Sequence, residues 1–118
     1  MPSTTSFERG DLVLVRFVFA DERGAKQRPG LVLSADAYHQ GRREAIVAAV
    51  TSNTGRMLFG DTRLEGWSDA GLPLPSVVTG IVRTIKQEMI LARLGRLPTS
   101  ELRAVETRMR ANLELDRG

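Results

Sequence analysis

The chain has 118 residues, about the size of one domain, with 17 basic and 14 acidic side chains and no cysteine. The lack of cysteine excludes a disulfide scaffold, a thiolate-ligated metal and thiol chemistry, and the single histidine, His39, argues against a histidine-based metal site or triad. No stretch approaches the roughly 20 apolar residues of a membrane span, and the N-terminus lacks a signal peptide's apolar centre. We therefore expect a cytoplasmic protein that does not enter membranes, with one domain over residues 1–118 and a flexible segment 1–8.

Positive charge is concentrated in the middle of the chain. Residues 23–63 carry seven basic and three acidic side chains, and fifteen of the seventeen basic residues are arginine. Arginine forms forked contacts with phosphate, so this distribution indicates a polyanion or an acidic protein as partner. A general compositional preference for arginine explains the same counts equally well.

Short apolar runs predict several strands. In the first half of the chain these strands cover residues 11–19, 31–34 and 45–51, and the last of them is apolar enough to be buried on both faces. Polar loops are expected at residues 20–27 and 35–43. Because Pro29 cannot donate to a sheet ladder, it must lie at the start of the second strand or on an exposed edge.

The second half is less regular until its end. Strand signals are weak at residues 57–59 and 62–64, and a further strand region at 76–85 is expected to bend at Gly80. Residues 87–94 predict a short helix closed by Gly95.

A C-terminal amphipathic helix is the clearest element. Thr99 and Ser100 offer a hydroxyl cap, with Glu101 in the first turn. One apolar stripe follows at helical spacing: Leu102, Val105, Met109 and Leu113. Short strands followed by this helix predict a mainly β fold, a small, strongly curved barrel or half-barrel.

Two polar clusters are candidate sites. In the first, Lys26, Gln27 and Arg28 reach the start of a buried strand, where a fixed arginine can stabilise charge on a phosphate. An ion pair of Arg28 with Asp21 or Asp36 is the structural alternative.

The second cluster, Thr51-Ser52-Asn53-Thr54, follows the third strand and offers hydroxyls and an amide. Ordinary turn chemistry explains such residues as well. The roles of two other residues stay open. His39 could act as an acid or a base or be a solvated loop histidine, and Trp67 could be a stacking platform, a partner anchor or a residue packed on the barrel.

Taken in order, these segments resemble the MazF/PemK toxins of bacterial toxin–antitoxin systems. The matching stretches are residues 9–15, 26–34, 47–52, 75–78, 82–85 and 94–98 with the final helix. The resemblance implies a curved SH3-like barrel of the CcdB/Kid/MazF type that forms a homodimer and binds an acidic antitoxin.

The resemblance also implies a metal-independent endoribonuclease without a cofactor. In such enzymes the ribose 2′-hydroxyl of single-stranded RNA attacks the adjacent phosphate and leaves a cyclic phosphate and a 5′-hydroxyl. By position, Arg28 and Thr51 are similar to the family's catalytic arginine and threonine. Further contacts to RNA are expected from Lys26, Gln27, Ser52, Asn53 and Arg56.

Two positions depart from the family pattern. Some PemK-type members carry an acid where this chain has Gly80, and Lys86 stands where aspartate often follows the Arg-Thr-Ile segment. These differences indicate a simpler arginine and threonine mechanism, altered specificity or lost activity. The alternative functions are a non-catalytic, CcdB-like inhibitor of gyrase and an RNA-binding relative without turnover.

Overall fold

The computed structural model describes residues 6–18 and 25–115. Its helices and strands are β1 (Asp11–Val18), β2 (Ala25–Val32), α1 (Asp36–Gly41), β3 (Glu44–Thr51), β4 (Thr62–Arg63), β5 (Val77–Lys86), β6 (Ile90–Arg96) and α2 (Thr99–Leu113). The strands form one antiparallel, curved and open sheet in the order β4-β5-β3-β2-β1-β6. This confirms the mainly β fold with a C-terminal helix. Within the described ranges, none of the helices is both long and apolar enough to span a membrane.

Apolar side chains are buried on both faces of the sheet. One cluster lies under α2 and contains Leu12, Leu31, Ala48, Val50, Leu64, Ala70, Leu72, Val78, Leu97 and Val105. The other contains Val13, Val15, Phe17, Val32, Ala45, Val47, Ile85 and Ile90. Strand β3 supplies both clusters because successive side chains along a strand point to opposite faces: Ala45 and Val47 enter one cluster, Ala48 and Val50 the other. The expected burial of this strand on both faces is confirmed.

The prediction of a helix at residues 87–94 is wrong. Gln87–Met89 forms a 3-10 turn, and the chain then enters β6, which pairs with β1. Leucine, alanine and arginine favour a helix intrinsically, but pairing with β1 outweighs that weak preference. Gly95 lies inside this strand and does not end a helix. A Cβ at this position would clash with the carbonyl oxygen of Ala70, so a glycine is required here.

Other element boundaries also differ from expectation. Helix α1 occupies much of the loop predicted at residues 35–43; six residues are too few to show a helical apolar stripe. Strand β2 begins at Ala25, inside the loop predicted at 20–27, and residues 19–24 of that loop lie outside the described residues. Residues 57–59 form no strand, whereas 62–63 form β4. Strand β5 spans Gly80, but its pairing with β3 is irregular there, since Val82 pairs with Ala48 while Val78 pairs with Val50. This bulge lies at the position where a bend is expected.

Helix α2 is confirmed, but its cap and part of its stripe are not. Pro98 occupies the N-cap position without a side-chain hydrogen bond, so neither Thr99 nor Ser100 caps the helix. Val105 is fully buried, while Leu113 is 65% exposed because α2 extends past the edge of the core there.

A buried carboxylate joins the residues just before β1 to β1 and β6. Asp11, 2% exposed, accepts hydrogen bonds from the Glu8 N–H at 2.8 Å and from Arg96 Nη1 at 3.0 Å, and Arg93 Nε lies 3.1 Å away. Phe7 packs against the second cluster. These contacts involve two residues of the segment 1–8 that we expect to be flexible; residues 1–5 lie outside the described part of the chain.

His39 and Trp67 both have structural surroundings. The His39 side chain is 8% exposed, its Nε2 lies 2.6 Å from Ser34 Oγ, and its ring contacts Phe7 with centroids 4.8 Å apart. The interpretation of His39 as a solvated loop histidine, one of those left open, is therefore wrong. Trp67 packs against the cluster under α2, as one of its three interpretations held.

Burial lowers the pKa of His39, and the nearby carboxylate of Asp36 opposes this effect only in part. The unfolded state therefore binds a proton more readily, and the free energy of unfolding should fall as the pH drops below about 6.5. We expect His39→Gln to be less stable than wild type at about pH 7.5 and to lose less stability between about pH 7.5 and 5.5. Urea denaturation at both pH values measures this; parallel losses in the two proteins would contradict it.

Candidate active site

A groove with a volume of about 700 Å³ opens where β2 and β3 separate. Its walls are formed by Phe17, Gln27, Arg28, Pro29, Ala49, Val50, Thr51, Ser52, Asn53, Pro73, Leu74, Ser76, Thr79, Ile81 and Arg83. Two of these residues are arginines, and no acidic side chain occurs among the described residues that form the walls. The groove therefore presents positive charge to a ligand.

Pro29 explains why the two strands separate here. On β2, Val32 accepts from Gly10 on the β1 side, whereas Leu33 donates to Ile46 O on the β3 side. Backbone N–H and C=O groups alternate in direction along a strand, so the backbone of position 29 faces β3. An N–H at this position would donate to the carbonyl oxygen of Val50. Proline has no N–H to donate, and the β2–β3 ladder ends at Gly30 opposite Ala49. The expected exposed edge at Pro29 is confirmed.

The register that ends at Gly30 and Ala49 places Arg28 and Thr51 on facing walls of the groove, two residues beyond the last pair. The exposed guanidinium of Arg28 donates from Nη1 to Gln27 O at 3.0 Å. Asp36 does not pair with it but accepts from the Arg9 N–H at 3.1 Å, and Asp21 lies outside the described residues. The remaining donors of Arg28 point to a site for an anion.

Thr51 is half-buried at the end of β3. Its Oγ1 accepts a hydrogen bond from the Asn53 N–H at 3.1 Å, so local turn chemistry is present as the alternative interpretation held. Since a hydroxyl both accepts and donates, this contact leaves the Thr51 O–H available to a ligand in the groove.

The other residues expected to bind RNA are distributed over two pockets. Gln27, Ser52 and Asn53 line the groove with Arg28 and Thr51, while Arg56 lines an adjoining pocket. Lys26 is exposed on β2 opposite Phe17 and lines neither of these pockets.

Sequence reasoning missed a second arginine in the groove. The Cζ atom of Arg83, on β5, lies 5.6 Å from the centroid of the Phe17 ring, a cation–π contact that orients the guanidinium. Arg83 belongs to a segment that carried the family resemblance, but no local signal places it beside Arg28. Only the β3–β5 pairing brings β5 to this wall.

The two departures from the family pattern have different surroundings. The Gly80 N–H donates to Asp61 Oδ1 at 2.9 Å, and a Cβ at Gly80 would stand 3.2 Å from Asn112 Nδ2. An acidic side chain would crowd this point. Lys86 is exposed at the far end of β5, opposite Glu44 in the strand register, and lies outside the groove. In the described ranges, no three His, Cys, Asp or Glu residues are grouped to hold a metal ion.

Comparison with known proteins identifies the family of the chain. The family model "PemK-like, MazF-like toxin of type II toxin-antitoxin system" matches residues 8–113. Endoribonuclease MazF6 of Mycobacterium tuberculosis is 35% identical over 94 residues, which cover 77% of this chain and 82% of that protein. Endoribonuclease MazF2 of Mycobacterium bovis has the same identity and coverage.

Solved structures share the fold. The Mycobacterium tuberculosis toxin MazF-mt6 has a TM-score of 0.74 at 23% identity, over 90% of this chain and 98% of that one. A MazE–MazF structure from Deinococcus radiodurans has a TM-score of 0.77 at 23% identity, over 92% and 96%. A mycobacterial endoribonuclease in complex with its cognate antitoxin has a TM-score of 0.76 at 17% identity, over 96% and 100%.

The fold and the groove define a small open-sheet protein with a cationic cleft. The chain belongs to the PemK-like, MazF-like family of toxins of type II toxin–antitoxin systems.

The role of Pro29 can be tested by restoring the missing donor. In Pro29→Ala, we expect the new amide to bond to Val50 O, extend the ladder and narrow the groove. Amide hydrogen exchange should then be at least about ten-fold slower at position 29 than at Gln27, which faces the same open side. Pro75→Ala is the matched control, because it makes the same proline-to-alanine change at a position outside the strands. Equally fast exchange at both positions would show that another contact separates the strands.

Proposed function

We propose that this chain is an endoribonuclease toxin that cleaves single-stranded RNA in the groove between β2 and β3. The observation that carries the proposal is the placement of Arg28 and Thr51 on facing walls of a cleft to which the described residues contribute two arginines and no carboxylate. Support comes from the two relatives at 35% identity, both named as endoribonucleases.

The proposed reaction is a transesterification within the RNA. The 2′-hydroxyl oxygen attacks the adjacent phosphorus, and the bond from phosphorus to the 5′ oxygen breaks. The products are a cyclic phosphate and a 5′-hydroxyl; the nucleophile loses one proton and the leaving oxygen gains one. The reaction needs no external reactant, and we propose that it proceeds without a metal ion or cofactor.

Each of the two central residues has a distinct part in this proposal. Arg28 holds the scissile phosphate, spreads the charge that develops on its oxygens and donates a proton to the leaving 5′ oxygen. Because a guanidinium enters the reaction protonated, it is placed as the acid and not as the base that deprotonates the 2′-hydroxyl. Thr51 donates its O–H to a phosphate oxygen while the Asn53 N–H fixes its Oγ1. Gln27, Ser52 and Asn53 in the groove hold the flanking nucleotides, together with Lys26 next to Gln27 on β2 and Arg56 in the adjoining pocket.

The comparisons do not favour the alternative functions. A gyrase inhibitor or an RNA-binding protein without turnover has no need for a paired arginine and threonine, and the two relatives are named as enzymes. Gly80 and Lys86 are compatible with activity through Arg28 and Thr51, since neither lines the groove that contains them.

Substitution of the central pair tests the function directly. We expect Arg28→Ala and Thr51→Ala each to reduce cleavage by about 100-fold or more, since each removes a donor to the developing charge. The assay is incubation of the purified chain with a long mixed-sequence RNA in excess EDTA, followed by mapping of cut sites and end groups.

Arg108→Ala and Thr107→Ala on the exposed face of α2 are the matched controls. Both should cleave like wild type, and unchanged circular dichroism should show that all four variants fold. Wild-type cleavage by Arg28→Ala and Thr51→Ala would remove the site assignment, and intact RNA with the wild-type chain would remove the enzymatic function.

The proposal includes two protein partners. An acidic antitoxin is supported by relatives solved with MazE or a cognate antitoxin and by the cationic groove.

A homodimer is supported by an apolar groove of about 290 Å³ lined partly by Val82, Leu113 and Leu115, whose exposures are 45%, 65% and 67%. A second copy that covers these side chains would remove them from water, and sedimentation should then give twice the mass of 13.0 kDa.

We expect the antitoxin to compete with RNA. Its acidic segment should lie across the groove near Arg28, order on binding and raise the KM for RNA without changing kcat. Steady-state cleavage at increasing concentrations of an acidic antitoxin peptide measures this, with a scrambled peptide of equal charge as control. A fall in kcat at constant KM would place the antitoxin elsewhere.

A further inference from the structure

A second pocket, with a volume of about 460 Å³, adjoins the candidate active site. It shares Thr51, Asn53, Thr79 and Ile81 with the groove. Its other walls come from the loop after β3, from β5 and from the end of α2: Arg56, Leu58, Phe59, Asp61, Gly80 and Asn112. An RNA strand that contacts Thr51 must therefore pass beside this pocket.

Phe59 at the margin of the pocket has an unusually exposed aromatic ring. Its side chain is 84% exposed, and the neighbouring Leu58 and Ile81 are 57% and 58% exposed. Single exposed aliphatic residues are common on protein surfaces, but an open ring face beside a cationic groove matches the platforms on which proteins stack unpaired bases.

The loop that carries Phe59 is held on both sides. Asp61, 8% exposed, accepts from the Leu58 N–H at 3.0 Å and from the Gly80 N–H at 2.9 Å, which ties the loop to β5. Gly60 has a φ of +90°, and a Cβ there would stand 2.2 Å from Asn112 Oδ1. Since these contacts fix the backbone next to Phe59, little conformational entropy is lost when a ligand packs on the ring.

The remaining walls suit a nucleotide. Arg56 brings a guanidinium to the pocket, and Gly80 contributes no side chain that would fill it. Asp61 is the acidic residue among the walls, and its two oxygens already accept backbone N–H groups. The pocket thus combines an aromatic face, a cation and open space.

We propose that this pocket is a base-binding subsite, in which an unpaired base flanking the cleaved phosphate stacks on Phe59 while Arg56 contacts a backbone phosphate. The inference rests on the proposed function, since it places the base relative to cleavage at Thr51. Because every base has a stacking face, the subsite adds affinity and fixes the strand's path more than it selects one base.

The test uses affinity for a strand that cannot be cut. A single-stranded RNA with a 2′-deoxynucleotide at the attacking position is titrated with wild type, Phe59→Leu, Phe59→Tyr and Leu91→Ala. We expect Phe59→Leu to weaken binding about ten-fold, because stacking contributes on that scale, and Phe59→Tyr to bind like wild type. Leu91, 40% exposed on β6 and outside both pockets, is the control for loss of an exposed apolar side chain and should have no effect.

A second arm locates the base. Abasic nucleotides are introduced one position at a time. At one flanking position, loss of the base should weaken RNA binding by wild type about ten-fold and leave binding by Phe59→Leu almost unchanged. Equal losses in both proteins at every position would overturn the subsite, as would unchanged affinity of Phe59→Leu. A changed sedimentation mass of Phe59→Leu would also overturn it, because the ring would then pack against protein.

The two proposals fail separately. If wild type cleaves RNA and Phe59→Leu binds as tightly as wild type, the ribonuclease function stands and the subsite does not. If wild type leaves RNA intact, no substitution is needed to block cleavage, and the same titrations on unmodified single-stranded RNA decide whether Phe59 holds a base.

Discussion

The end of the β2–β3 ladder is the constraint on which the candidate site depends. Pro29 faces β3 without an N–H, so pairing ends at Gly30 and Ala49, and the strands separate into the walls of the groove. The register of the paired residues still determines which side chains face each other beyond the last pair, so Arg28 and Thr51 lie on opposite sides of the opening. A longer ladder would bring these residues together and leave no space for a phosphate chain.

Packing around the groove explains how exposed polar groups remain in place. Two apolar clusters, one on each face, hold the curved sheet, and the buried Asp11 carboxylate joins β1 to the arginines of β6. Toward the opposite edge of the sheet, Asp61 ties the loop after β3 to β5. Rigid strands and anchored loops therefore carry the side chains that would contact RNA, which reduces the entropy lost on binding.

Sequence reasoning succeeded where a pattern is local and strong. Strands β1 and β3 and helix α2 were predictable from β-branched runs and from an apolar stripe with helical spacing. It failed where tertiary contacts outweigh local preference: β6 has the composition of a helix but pairs with β1, and α1 is too short to show a period. His39 looked solvated because its neighbours in sequence are polar, whereas Phe7 and Ser34 bury it from other segments.

The sequence by itself determined the composition of the site: no cysteine, an arginine-rich middle segment, and Arg28 and Thr51 in segments that resemble one family. It also determined that position 29 cannot donate to a ladder, because Pro29 lacks an N–H; the strand pairing decided that this position faces β3. Only the tertiary structure decided that Arg83 joins Arg28 in the groove and that Phe59, rather than Trp67, is the open aromatic beside it. Those positions depend on strand pairing and loop anchoring between residues far apart in the chain, which no local pattern encodes.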